Sequence, residues 1–124
     1  CQHVTGSAFV INALIPRNEV ELTSGTLNSF RFEGTGHTAS SCDRCAAYVW
    51  SEYAGYFGNC LFVRVGTLDQ AELFPPDVHI YTGAKQPWMV LPEGIPHYDE
   101  FYGRLKTVWP ARSVTRFKSL GGGK

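Results

Sequence analysis

Glycine and proline residues occur at short intervals along this sequence. Their frequency limits, more than any other feature, the length of the helices and strands that the chain can form. The 124 residues include 13 Gly and 7 Pro, which argues against long helices. Between these residues lie short runs rich in β-branched and aromatic residues, as in strands joined by turns. Strands are predicted over residues 8–15, 19–22, 27–32, 38–41, 47–53, 61–65 and 78–81, and the first, nearly continuous in apolar residues, is expected to be buried on both faces.

One short helix is predicted over residues 69–74, because Thr67 or Asp69 can cap its start and Pro75 and Pro76 stop it. The pattern therefore predicts a compact, mainly β fold with one short helix. A chain of this length with 44% hydrophobic residues is expected to be one folded domain rather than a disordered segment. Its apolar runs are shorter than a membrane-spanning helix requires.

The charges are balanced overall but unevenly distributed. Residues 1–100 hold eleven acidic and five basic residues, a net charge of −6, whereas residues 101–124 hold six basic residues and no acidic one. We therefore divide the chain into a β domain over 1–100 and a basic C-terminal extension over 101–124. The extension either lies across the acidic body or in solvent, or docks to an acidic partner, a nucleic acid or an anionic membrane. The balance excludes a globally basic nucleic-acid binder.

The motif Cys42-Asp43-Arg44-Cys45 is the sharpest chemical signal. Two cysteines with this spacing can hold one tetrahedral zinc ion, and flanking strands favour a metal site over a redox pair at a helix start. A disulfide or redox pair, or no special role, stays open. Cys60 is expected to be a core residue. Further candidate ligands in the chain are Cys1 and the histidines His3, His37, His79 and His97.

Several stretches in order resemble the family of glutathione-dependent formaldehyde-activating enzymes, also called the centromere-protein-V domain family. They are Cys1 with TGSAFV (5–10), LTSGTLNSF (22–30), Cys42-x-x-Cys45, VRVGTLD (63–69) and HIYTGAKQPW (79–88). The resemblance covers about the first hundred residues. It implies an Mss4-like β fold of small antiparallel sheets with two zinc sites, each held by cysteines.

By position in that family pattern, Cys1 corresponds to the last cysteine of a C-x-C-x-x-C triplet that holds the catalytic zinc. Cys42 and Cys45 correspond to half of the structural zinc site. An early C-x-C pair and two cysteines of the triplet are absent, so both sites are incomplete in this sequence. Because the only methionine is Met89, we expect the parent protein to have residues before Cys1. Ala46 stands where the family often has glycine.

The resemblance implies a carbon–sulfur lyase that adds a thiol, such as glutathione, to formaldehyde or another small carbonyl compound, or catalyses the reverse. His3 and Arg44 are candidate donors to offset the negative charge of a three-thiolate zinc site. The aromatic residues Tyr48, Trp50, Tyr53, Tyr81 and Trp88 are expected in the core or in a substrate pocket. The alternatives are a diverged member that acts on another small organic substrate, and a non-enzymatic zinc module. The free cysteines favour the cytoplasm, and no membrane or nucleic-acid partner is expected.

Overall fold

Five antiparallel strands form one sheet in the computed structural model, which describes residues 1–123. The strands are β1 (Asn12–Pro16), β2 (Leu27–Phe32), β3 (His37–Cys42), β4 (Tyr48–Tyr53) and β5 (Cys60–Arg64). Their order across the sheet is β1-β5-β4-β3-β2. The predicted mainly β, antiparallel fold class is confirmed, and the arrangement is consistent with a small Mss4-like fold.

The helices are few and short. The α-helices are α1 (Gln2–Thr5) and α2 (Ala111–Ser119), and 3-10 turns lie at Arg17–Glu19, Val65–Thr67, Ala71–Leu73, Thr82–Ala84 and Leu105–Thr107. The short helix predicted over 69–74 forms only in part, as the three-residue 3-10 helix Ala71–Leu73. Pro75 and Pro76 follow after Phe74, and proline cannot donate the backbone hydrogen bonds that would extend the helix.

The strand predictions fail mainly in the first 22 residues and at residues 78–81. Residues 27–32 form β2 as predicted, but only 12–16 of the first apolar run are in a strand. That strand pairs with β5 alone, at the sheet edge. None of its five residues is buried, so the prediction of burial on both faces is wrong. An edge position also accommodates Pro16, whose nitrogen cannot join a ladder. Residues 19–22 form no strand, and residues 78–81 contribute only an isolated bridge from His79 to His97.

The core lies where the C-terminal segment meets β5. Cys60 is 3% exposed and forms a buried cluster with Tyr102, Leu105 and Phe117. The indole nitrogen of Trp109 donates a hydrogen bond of 2.7 Å to the Tyr102 hydroxyl. Residues 101–123 are thus packed against the sheet, while the proposed domain boundary at residue 100 stays a prediction.

The basic segment also makes an electrostatic contact with the acidic body. Arg116, in the last turn of α2, forms an ion pair with Glu19. Both side chains are substantially exposed, so solvent screens the pair and its contribution to stability is small. The apolar side of α2, rather than its charges, therefore holds the segment in place.

Candidate metal centre and active site

The two cysteines of the C-x-x-C motif lie in the turn between β3 and β4. Cys42 ends β3, its backbone N–H donates to the Ala47 carbonyl at 2.9 Å, and its carbonyl accepts from the Ala46 N–H at 2.9 Å. Ala46 adopts a left-handed conformation with φ of 59°. This conformation reverses the chain within a few residues, but it is strained for a residue with a Cβ atom.

Hydrogen bonds favour the thiolate form of Cys42. The backbone N–H groups of Cys45 and Arg44 and the Cys45 thiol all contact this sulfur and lower its pKa, against the opposing effects of desolvation and the Asp43 charge. Asp43 is in turn anchored to the start of β2, where its carboxylate accepts from the Thr26 hydroxyl and its N–H donates to the Thr26 carbonyl. A pair of accessible sulfurs with a stabilised thiolate is the donor chemistry that zinc selects.

Residues 1–123 do not complete a metal site. Within them, no three His, Cys, Asp or Glu side chains converge around one point. Cys42 and Cys45 thus fit one half of a tetrahedral zinc site, and Cys1 is not brought together with them. Cys60 is buried in the core, where desolvation raises its pKa, in agreement with its predicted structural role.

Cys1 lies at the N-cap of α1, with its side chain exposed. The neighbouring Gln2 fixes this helix to a distant loop, because its side-chain nitrogen donates to the Ala84 carbonyl at 2.7 Å and its oxygen accepts from the Gln86 amide. These contacts place the start of the chain beside the segment that runs from Tyr81 to Trp88. Sequence reasoning did not anticipate this pairing, which joins two of the motifs that carry the family resemblance.

The loop beside Cys1 carries exposed aromatic side chains. Tyr81 is 59% exposed and Trp88 is 70% exposed. Tyr81 also has a left-handed backbone with φ of 55°, and such strain concentrates at functional sites. By contrast, Tyr48, Trp50 and Tyr53 are only partly exposed, and all three lie in β4. The aromatic residues expected to share a core or a pocket are therefore split between the sheet and this loop.

The predicted auxiliary donors His3 and Arg44 are both exposed. The Arg44 backbone N–H contacts the Cys42 sulfur, which is a contribution of the main chain rather than of the guanidinium. His3 lies one residue beyond Gln2 in α1, and the described residues give its side chain no hydrogen bond. The roles of both side chains toward zinc stay predictions.

A hydrogen-bonded group on the sheet was missed by sequence reasoning. The Nε2 atom of His37 lies 3.0 Å from the Ser51 hydroxyl and 3.2 Å from the Tyr48 hydroxyl, which are 2.7 Å apart. The His37 ring is stacked between Phe32 and Tyr53, with centroid distances of 4.5 Å to each. Ser51 is 1% exposed, whereas His37 and Tyr48 are half-buried. The hydrogen bonds of the group link β3 to β4.

Burial lowers the pKa of His37, and the positive charge of Arg64 lowers it further. The ring is therefore neutral at pH 7, and its Nε2 atom either accepts from these hydroxyls or donates to them, according to the tautomer. The hydrogen-bonded group around His37 could have been found only from the pairing of His37 with Tyr53 across β3 and β4. That register is a property of the folded sheet and is not visible in the spacing along the chain.

Comparison with known protein families agrees with the arrangement of these motifs. Residues 1–84 match the family described as glutathione-dependent formaldehyde-activating enzyme. The chain belongs to this family. The match includes Cys1, the C-x-x-C turn and the loop up to Ala84, and a search of curated proteins finds no match to the chain.

Membership in this family indicates a glutathione-related, formaldehyde-activating or related function, with glutathione and formaldehyde as the corresponding substrates. Domains of this family generally bind zinc, although the described residues hold no complete ligand set. Within residues 1–123, none of the helices has the length and apolar character needed to cross a bilayer.

Proposed function

We propose that this chain is part of a zinc-thiolate carbon–sulfur lyase that joins a thiol to a small carbonyl compound or catalyses the reverse. The match of residues 1–84 to the formaldehyde-activating family carries the proposal. In the forward direction the thiol sulfur bonds to the carbonyl carbon, and the thiol proton is transferred to the carbonyl oxygen. With glutathione and formaldehyde the product is S-hydroxymethylglutathione.

In this proposal Cys42 and Cys45 hold half of a structural zinc site, and Cys1 is a ligand in the catalytic one. Zinc held by thiolates keeps a coordinating thiol deprotonated. The remaining ligands are expected from outside the described residues. The described residues hold Cys1 in position: the contacts of Gln2 with Ala84 and Gln86 keep Cys1 beside the loop that carries Tyr81 and Trp88. The free cysteines support a reducing, cytoplasmic location.

A second candidate is a diverged family member that acts on another small organic substrate without the complete zinc sites. The lack of a three-ligand cluster within residues 1–123 favours it. The two candidates differ in metal content, because the first requires zinc bound through Cys42 and Cys45 and the second does not.

Zinc analysis of the full-length protein tests the proposal. We expect at least one zinc per chain, with one lost in Cys42→Ser and in Cys45→Ser and none lost in the matched control Cys60→Ala. Zinc-free wild-type protein, or equal zinc in Cys42→Ser and wild type, would contradict the structural role.

Catalysis is tested separately by NMR. The measurement is the rate at which glutathione and formaldehyde interconvert with S-hydroxymethylglutathione. The full-length protein should accelerate this exchange over the uncatalysed rate, and Cys1→Ser should remove the acceleration without releasing the zinc held by Cys42 and Cys45. Unchanged exchange in Cys1→Ser would refute the catalytic assignment. Zinc binding without acceleration would refute the lyase while leaving the metal site intact.

A further inference from the structure

Arg64 is a buried cation without an anionic partner in the described part of the chain. It is 7% exposed, and neither of the two ion pairs formed within residues 1–123 includes it. Its Nη1 atom donates to the Asn12 side-chain oxygen at 2.7 Å, and its guanidinium carbon lies 4.2 Å from the centre of the Tyr48 ring. Its Nε atom is buried with no hydrogen-bond partner in residues 1–123.

This arrangement leaves most of the hydrogen-bonding capacity of the guanidinium unused. An arginine carries five N–H donors, and one side-chain hydrogen bond plus an aromatic contact satisfies few of them. A buried charge is costly unless it is paired and hydrogen-bonded. The position therefore favours a negatively charged group beside Arg64.

A groove of about 280 Å³ lies at Arg64. Its other walls are Ser7, Phe9, Val10, Ile11 and Gly66. Apart from Gly66 itself and its two chain neighbours, no heavy atom of residues 1–123 lies within 4 Å of the position that a Cβ atom would take at Gly66. The lining is mainly apolar, and Arg64 is the one charged residue among the described residues that form it. A mainly apolar cleft with a charged residue in its wall is typical of sites for small organic ligands, and this volume is near the lower end for such sites.

We propose that this groove binds a small carboxylic acid with a hydrocarbon body. The carboxylate receives hydrogen bonds from the Arg64 guanidinium, whose planar fork matches two carboxylate oxygens. The hydrocarbon part lies against Phe9, Val10 and Ile11, and apolar walls favour such a carboxylate over an inorganic anion. The site goes beyond the proposed lyase function and does not depend on it, since Arg64 would attract the acid whether or not thiol chemistry occurs.

NMR titration of the full-length protein with hexanoate tests this site. We expect saturable shifts of the Arg64 Nε–H signal and of the backbone amides of residues 7–11 and 66. Hexanamide has the same body without the charge, and it should bind about tenfold or more weakly because charge-assisted hydrogen bonds are lost. Equal affinity for the two compounds, shifts confined to other parts of the protein, or no saturable shift would overturn the proposal.

Two variants locate the binding. Arg64→Gln should weaken hexanoate binding about tenfold or more, whereas Arg31→Gln, at an exposed arginine of β2, should leave it unchanged. Phe9→Ala changes a side chain that is 58% exposed, so the fold should tolerate it. It should weaken hexanoate binding several-fold but not acetate binding. If Arg64→Gln folds and binds hexanoate as tightly as wild type, the site is refuted. If Arg64→Gln does not fold, undiminished hexanoate binding in Phe9→Ala refutes it.

Discussion

The substitution Phe117→Ala tests whether the C-terminal segment is an integral part of the folded core. Phe117 is 4% exposed, and its ring centroid lies 5.4 Å from those of Tyr56, Phe57 and Trp109. Truncation of a buried phenylalanine costs about 3–5 kcal/mol, because the lost transfer free energy adds to the cost of the cavity. Rings from separate segments hold the walls apart and limit collapse, so we expect a loss of about 4 kcal/mol.

Urea unfolding followed by tryptophan fluorescence measures this loss, since Trp109 contacts the ring that is removed. The matched control is Thr115→Ala, on the same helix at an exposed position, which should change the free energy of unfolding by less than about 0.5 kcal/mol. A loss below about 1 kcal/mol for Phe117→Ala would refute the inference that this segment completes the core. It would favour a loosely attached basic extension instead.

Two other substitutions test the sheet and its turns. Ala46→Gly should raise the free energy of unfolding by up to about 1 kcal/mol, because glycine adopts the left-handed conformation without strain; a lower urea midpoint would contradict this backbone geometry. The pKa of His37 is lower in the folded protein than in the unfolded chain, so the unfolded chain binds a proton more readily. Neutral His37 therefore contributes its full stability above the unfolded pKa of about 6.5. This contribution is lost as the pH falls through and below that value. Urea unfolding of His37→Gln should therefore depend less on pH than wild type between about pH 7.5 and pH 5, and equal slopes would contradict the assignment.

Local signals in the sequence predicted strands β2 to β5 and the C-x-x-C turn. The alternation of Phe30 and Phe32 with polar neighbours defines β2, and Cys42 and Cys45 stand between two recognisable strands. These features depend on residues close together in the chain, so spacing and propensity were enough to find them.

The parts that depend on distant contacts were not predicted. Helix α2 lies in a segment interpreted through its positive charge, although Val114 and Phe117 have the spacing of one helical face. The group around His37 and the burial of Arg64 depend on the register of four strands, and the contact of Gln2 with Ala84 spans 82 residues. Propensity carries no information about such pairings.

The late position of the core residues has a consequence for biosynthesis. Strands β1 to β5 are complete by Arg64, but three members of the buried cluster, Tyr102, Leu105 and Phe117, follow only in the last quarter of the chain. A nascent polypeptide that has left the ribosome as far as β5 therefore exposes Cys60 and the neighbouring apolar side chains until Phe117 has left the ribosome as well. During that interval the growing chain is open to misassociation, because its core is complete only when Phe117 joins it.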